Sequence, residues 1–259
     1  MRTCLALLLF SVSMLAQAAE WRDSPQLAEL FKREGVTGTF VVHDVAADTY
    51  MVHDRKRALA RYVPASTFKI PNSVIGLSLG VVSSVDEVLP YGGKPTRLPG
   101  WAQDMPLREA IRVSNVPVYQ GLARRIGLER MRAALRRFEY GNMDSGSTVD
   151  TFWLDGPLKI SAFEQTVFLD KLAQDALPVP KSAMAGVRTI MRQEGGAELY
   201  AKTGWGQPPG EGDIGWWVGW VRKDGKLYTF ALNIDIPDNE TGSKRVPLGK
   251  AGLKALGLL

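Results

Sequence analysis

The sequence predicts an α+β fold: one antiparallel β-sheet formed from both chain ends, flanked by helices, with a mostly helical insert between them. Runs rich in β-branched and aromatic residues sit near the start, at 39–43 and 49–53, and near the end, at 198–203, 214–222 and 227–235. The stretch from 66 to about 195 instead carries helical apolar spacing broken by Pro/Gly loops. Strands at both ends around a helical middle fit a single sheet that the returning chain completes. At 259 residues the chain is long enough to bury a substantial core.

Taken in order, the chain opens with Met1-Arg2, an apolar run over 5–15 and then Ala16-Gln17-Ala18. A basic start, a short hydrophobic stretch and a small-x-small cleavage site make residues 1–18 a secretory signal peptide. The run is too short for a permanent membrane anchor, and no later segment matches it. A mature protein from about Ala19, exported to the periplasm and free of the membrane after signal cleavage, is therefore expected. The only cysteine, Cys4, falls in the signal, so the mature chain must hold together by packing, without a disulfide. Of 32 basic residues only Arg2 leaves with the signal, so 31 stand against 27 acids, a formal charge of +4. Nucleic acid binding would want clustered cations with stacking aromatics. Here Arg124, Arg125, Arg130, Arg132, Arg136 and Arg137 fall at helical spacings and read as a solvated helix face.

The mature chain reads as a single domain over 19–259, its sheet region at about 19–60 and 196–259 and its helical region at about 61–195. A short amphipathic helix over 25–33 turns Leu27, Leu30 and Phe31 to one side and stops at Gly35. The first hairpin follows. Both histidines lie in it, as His43-Asp44 and His53-Asp54, and without further ligands or helical His spacing they make neither a metal site nor a Ser-His-Asp site. Helices are expected over 66–79, 107–111, 118–126 and 128–138, with a Gly- and Pro-rich loop over 90–101. Ser161 and Glu164 form a capping box that opens a helix reaching 172, and another helix covers 183–192. Lys223-Asp224-Gly225-Lys226 turns between the last two strands, and a helix over 245–256 closes the chain.

The chemistry gathers at Val63-Pro64-Ala65-Ser66-Thr67-Phe68-Lys69-Ile70. Pro64 suits the first turn of a helix or the residue before it, which places the helix start near Ser66. At i and i+3 the Lys69 amine reaches the Ser66 hydroxyl on one helical face. Val63, Phe68 and Ile70 bury that amine, disfavour its charged form and leave a basic lone pair beside a potential nucleophile. With no histidine nearby in sequence, the base is not imidazole. A lone Ser-x-x-Lys equally describes an ordinary helix start. The motifs that follow set this one apart: Ser114-Asn115-Val116, Tyr140-Gly141-Asn142, Phe152-Trp153-Leu154, Lys202-Thr203-Gly204 and Gly215-Trp216-Trp217-Val218-Gly219-Trp220.

In this order, and over essentially the whole mature chain, these motifs resemble the class D (oxacillinase-type) serine β-lactamases. Val116 stands where class A enzymes and many penicillin-binding proteins carry asparagine. The resemblance implies the serine β-lactamase or penicillin-binding-protein transpeptidase-like fold. It implies hydrolysis of the amide of penicillin-type antibiotics through an acyl-enzyme on Ser66, and with it antibiotic resistance. Lys69 would be the base, carboxylated by carbon dioxide, with no other cofactor and no metal. Trp153 would support that carbamate through its indole N–H, with Leu154 and Val116 as apolar neighbours; the alternative is a core aromatic. Ser114 would pass a proton to the β-lactam nitrogen; the alternative is a helix N-cap before Pro117. Lys202, Thr203 and Arg245 would seat the substrate carboxylate, with Lys244 a competitor for the role of Arg245, and Gly204 would let the backbone come close. The N–H groups of Ser66 and Trp205 would form an oxyanion hole. Tyr140-Gly141-Asn142 would shape the site without doing chemistry. The implied partner is a small-molecule β-lactam. A penicillin-sensing receptor domain shares the motifs but usually follows membrane helices, and a DD-peptidase lacks the Tyr-Gly-Asn and Phe-Trp-Leu pair.

Overall fold

The computed structural model describes residues 19–259, so the expected signal peptide at 1–18, Cys4 included, lies outside the described residues. Strand β1 (Glu20–Asp23) leads into α1 (Pro25–Glu34) and the hairpin of β2 (Gly38–Asp44) and β3 (Thr49–His53). Ser24 caps α1 by accepting the Leu27 N–H, and Gly35 ends it in the left-handed region at φ 62°. Then α2 (Arg55–Ala58) and β4 (Arg61–Tyr62) precede a 3₁₀ turn, Ala65–Phe68, and α3 (Lys69–Ser78). The insert continues through β5 (Val88–Leu89), β6 (Met105–Pro106), α4 (Leu107–Arg112), α5 (Val116–Ile126), α6 (Leu128–Phe138), β7 (Ile160–Ser161), α7 (Ala162–Ala173) and α8 (Lys181–Met191). The chain returns as β8 (Glu198–Gly206), β9 (Ile214–Lys223) and β10 (Lys226–Asp235), then α9 (Asn239–Ser243) and α10 (Arg245–Ala255).

The main sheet has six strands in the order β1-β3-β2-β10-β9-β8. Its two halves meet where β10 lies antiparallel to β2, with Phe230 opposite Val42. Asp224 and Gly225 both take positive φ, 49° and 75°, which is the two-residue turn that matches strand twist between β9 and β10. The sheet is antiparallel except at one edge, where β1 pairs parallel with β3. Glu20-Trp21-Arg22-Asp23 is short and charged and carries no strand pattern, so its pairing comes from α1 leading the chain back into the sheet.

Each face of the sheet covers its own core. Against one face pack α1 and α10, burying Leu27, Phe31, Phe40, Trp217, Phe230 and Leu253. A Cβ on Gly249 would come within 2.1 Å of Trp217, so this glycine is what lets α10 close on the sheet. The other face meets α7 and the insert, burying Val41, Phe68, Phe168, Trp216 and Trp220. β8 is an edge strand and lies against the 3₁₀ turn. A Cβ on Gly204 would stand 3.1 Å from Thr67 Cγ2 and 3.2 Å from Pro64 O, which shows how closely turn and strand approach.

Candidate active site

The turn before α3 differs from the simple helix start expected at Ser66. Ala65 takes a left-handed φ of 49°, a conformation that costs a residue with a side chain about 1–3 kcal/mol. Its N–H donates to Trp153 O at 2.9 Å, while the N–H and hydroxyl of Thr67 both donate to Pro64 O, at 3.1 and 2.7 Å. These contacts hold the strained residue in place. Ser66 thus enters the first turn, where a helix offers its N–H no carbonyl. Lys69 Nζ donates to Ser66 Oγ at 2.8 Å, so the i, i+3 pair meets as the spacing requires. The Lys69 side chain is almost wholly enclosed, at 1% exposure. Burial, and then the nearby Lys202 charge, pull its pKa well below the ordinary lysine value. With the amine neutral, its lone pair can take the Ser66 proton over the same contact. Beneath it lies the Tyr119 ring, its centroid 5.3 Å from Nζ, a neighbour that no motif marked.

The second serine is freed by its neighbour. Asn115 caps α5 by accepting the Val118 N–H at 3.1 Å, so the cap alternative weighed for Ser114 belongs one residue later. Ser114 stands just outside, in the left-handed region at φ 58°. Lys202 Nζ donates to Ser114 Oγ at 3.0 Å and to Thr203 O at 2.9 Å. Burial, then the Arg245 charge, bring the Lys202 pKa down to about 7.

Arg245 lies beside β8, donating through Nη1 to Gly204 O at 2.5 Å and through Nε to Gly242 O at 2.6 Å, its guanidinium 5.0 Å from the Trp205 ring centre. Lys244 turns away and donates to Glu34 O at the end of α1. Of these two neighbours, Arg245 is the one at the cleft. The free edge of β8 sets the remaining donor. Leu199 O and Ala201 O both point off the sheet, accepting from Gln193 at 2.8 and 3.1 Å. Backbone groups alternate sides along a strand, so Thr203 and Trp205 also turn theirs to that edge.

Trp153 is 1% exposed and stacks on Phe68 with ring centres 5.1 Å apart, which fits the core-aromatic alternative. Among the described residues its indole N–H has no hydrogen-bond partner, which fits a donor kept for something else. Tyr140-Gly141-Asn142 sits at the base of the loop carrying Trp153. There Asn142 Oδ1 accepts the Lys159 N–H and Nδ2 donates to Pro157 O, both at 2.9 Å.

Ser66, Ser114, Val116, Thr203, Gly204, Trp205 and Arg245 share the wall of one cleft of about 670 Å³, while Lys69, Lys202 and Trp153 lie behind it. Residues that sequence reading did not single out also line the wall: Arg97, Leu98 and Trp101 from the segment between β5 and β6, Gln120 on α5, and Asp155. Trp101 is fixed by its indole N–H on Val113 O at 3.0 Å and by Asn115 Nδ2 on its own carbonyl at 3.1 Å. The histidines belong to the sheet: His43 contacts Asp48 at 3.1 Å and His53 packs on Phe31. Among the described residues no group of three or more His, Cys, Asp or Glu could hold a metal, and no helix is long and apolar enough to cross a membrane.

A family model described as the penicillin binding protein transpeptidase domain matches residues 38–254. The β-lactamase OXA-10 of Pseudomonas aeruginosa is 39% identical over 244 residues, 93% of this chain and 90% of that protein. The β-lactamase OXA-48 of Klebsiella pneumoniae is 39% identical over 245 residues, 94% of this chain and 92% of that protein. The crystal structure of FUS-1 (OXA-85), a class D β-lactamase from Fusobacterium nucleatum subsp. polymorphum, matches with a TM-score of 0.89 at 41% identity. That likeness covers 92% of this chain and 100% of the other.

Proposed function

From the premise that the chain belongs to the class D β-lactamases and is a β-lactam hydrolase, we propose that it works through an acyl-enzyme on Ser66, with carboxylated Lys69 as the general base. The observation that carries this is the 2.8 Å contact between Ser66 and a buried lysine whose charged form is disfavoured. The Ser66 oxygen attacks the lactam carbonyl as its proton leaves toward the Lys69 side chain. The N–H groups of Ser66 and Trp205 receive the charge that develops on the carbonyl oxygen. As the amide bond breaks, Ser114 gives its proton to the ring nitrogen, and the hydrogen bond from Lys202 steadies the oxygen it leaves. Lys202, Thr203 and Arg245 hold the substrate carboxylate. Water then enters and releases the acid from Ser66.

The pocket around Lys69 suits carboxylation. A neutral buried amine is the form that adds carbon dioxide, Trp153 is available to offer its N–H, and Val116 and Leu154 supply apolar surface on the cleft wall in front of it. Carboxylation would supply a carboxylate beside Ser66, able to take protons first from the serine and later from water. Residues 1–18 support export to the periplasm, and hydrolysis there supports a role in β-lactam resistance.

Ser66→Ala should remove both turnover and covalent labelling by penicillin. Mass spectrometry that found an acyl adduct on another residue would end this reading. Activity should rise with added bicarbonate and fall as pH drops, recovering when carbon dioxide is restored at neutral pH. Trp153→Ala should slow deacylation more than acylation, so that the acyl-enzyme accumulates. Full activity in carbon-dioxide-free buffer, with no carboxylated-lysine signal from ¹³C bicarbonate, would make the plain amine the base.

A further inference from the structure

A second guanidinium faces the cleft, apart from Arg245. Arg97, in the loop between β5 and β6, lines the same wall as Ser66 and donates through Nη1 to Gln207 Oε1 at 2.6 Å. Gln207 follows β8 directly and is itself held, its Nε2 on Asp213 Oδ2 at 2.9 Å, where Trp205 Nε1 also donates at 2.8 Å. Arg97 is thus placed, tied across the cleft from the helical insert to the β8–β9 connection. A guanidinium has further donors to offer, and among the described residues none of them meets a carboxylate. Arginines that link elements elsewhere in the fold are closed by an acid, as in Arg57–Asp235, Arg61–Glu164, Arg108–Asp86 and Arg124–Asp150.

The two cations are anchored at different points of β8 and the chain that continues it. Arg245 holds the carbonyl of Gly204, and Arg97 holds the side chain of Gln207, three positions further along. At the rise of an extended chain the two anchor points are about 10 Å apart. The two guanidinium groups thus hold separate points along one wall. Asp155, the one acid on the cleft wall, sits on the loop of Trp153 and Leu154, while Asp213 is engaged by Gln207 and Trp205.

We propose that Arg97 forms a second anion subsite in the cleft, taking β-lactams whose acyl side chain carries a carboxylate of its own. This deepens the reading above and rests on it: with the ring carboxylate at Arg245 and the reacting carbonyl at Ser66, the side chain extends along β8 toward Gln207. The guanidinium then makes charge-assisted bonds with that second carboxylate while Gln207 fixes its orientation.

Carboxybenzylpenicillin and benzylpenicillin differ only by the side-chain carboxylate, so their kcat/KM ratio on the purified enzyme isolates the subsite. Arg97→Gln should lower kcat/KM for carboxybenzylpenicillin about fivefold or more, chiefly through KM, and change benzylpenicillin by less than about twofold. Gln207→Ala loosens the guanidinium but keeps the charge, and should lower the ratio by clearly less than Arg97→Gln does. Equal losses for both substrates in Arg97→Gln would make Arg97 a structural tie and overturn the subsite. So would an unchanged ratio, or a Gln207→Ala variant that loses the ratio as fully as Arg97→Gln. Benzylpenicillin turnover reads the reaction itself, so a ratio that does not move counts against the subsite alone.

Discussion

On one face of the sheet, α1 and α10 close over Phe40, Trp217, Phe230 and Leu232 with no lysine among the buried side chains. On the other, the turn at Ser66 and the insert bury the amines of Lys69 and Lys202 together with Asn72, Ser73 and Gln165. The same strands serve both. The first face gains hydrophobic transfer and packing from nearly everything it encloses. The second bears the desolvation of two amines and the left-handed backbone of Ala65 and Ser114. Strain and buried charge concentrate on the face that does the chemistry, so the two faces should answer opposite substitutions oppositely.

The largest contrast comes from removing a large side chain on the quiet face. Phe40 is fully buried, edge-on to Phe230, and Phe40→Ala should cost about 3–5 kcal/mol in urea unfolding. The rate constant per folded enzyme, counted by active-site titration, should barely change. Lys69→Met should do the reverse, because an apolar side chain of similar length replaces a buried amine with a disfavoured charge. It should abolish turnover while leaving the fold at least as stable as wild type, because the desolvated amine is gone. A destabilised Lys69→Met would mean that the amine is net stabilising where it lies, and the contrast between the faces would fail.

The two faces were also unequally legible in the sequence. Strand runs, the α1 stripe and the Ser161 capping box rest on local periodicity and cap chemistry, so they lie within about a residue or two of their expected limits, except that β8 runs on to Gly206, past its expected end at 203. Fixed spacing on a helix placed Lys69 beside Ser66, while Ser114 and Lys202 were marked only by the family resemblance, since 88 residues separate them. What did not show was set by contacts between distant segments. Ala65 is left-handed because its N–H meets Trp153 O, and that contact turns an expected α-helical start into a 3₁₀ turn. Arg97, Leu98 and Trp101 lie in a loop whose sequence has no period, and only its fold against Val113 and Asn115 makes it a wall. The choice of cap between the neighbours Ser114 and Asn115 was beyond local chemistry, since either side chain can cap a helix.

A smaller and more specific effect follows from pH. Lys202 titrates near 7 in the folded chain and near 10.5 unfolded. Below pH 7 both states hold the proton and the cost of burying the charge is present in full. Between 7 and 10.5 the unfolded chain binds the proton and the folded chain does not, so stability rises with pH by up to about 1.4 kcal/mol per unit. Tyr50, Tyr119 and Tyr140 are pushed above the usual tyrosine range by burial, and they oppose this only from about pH 10 upward. Urea unfolding at pH 7.5 and 9 should therefore show wild type gaining more than Lys202→Met. Equal gains would mean that Lys202 keeps its proton when folded, and that only Lys69 burdens this face.

The smallest effect separates two neighbours whose roles the sequence left open. Asn115 is fully buried, accepts the Val118 N–H at the head of α5 and donates to Trp101 O. Asn115→Ala should cost about 1–2 kcal/mol, the range for a lost N-cap, and loosen the Trp101 wall. Ser114 makes no cap, and alanine takes up its left-handed φ no worse than serine, so Ser114→Ala should change stability by less than about 0.5 kcal/mol. Its loss should appear in turnover, where the hydroxyl facing Lys202 at 3.0 Å is missing as the lactam nitrogen needs its proton. The pair thus divides a single step in the chain between the two demands on the site face, Asn115 for architecture and Ser114 for chemistry. A Ser114→Ala variant as destabilised as Asn115→Ala, with turnover little changed, would return Ser114 to the structural role that its place before α5 first suggested.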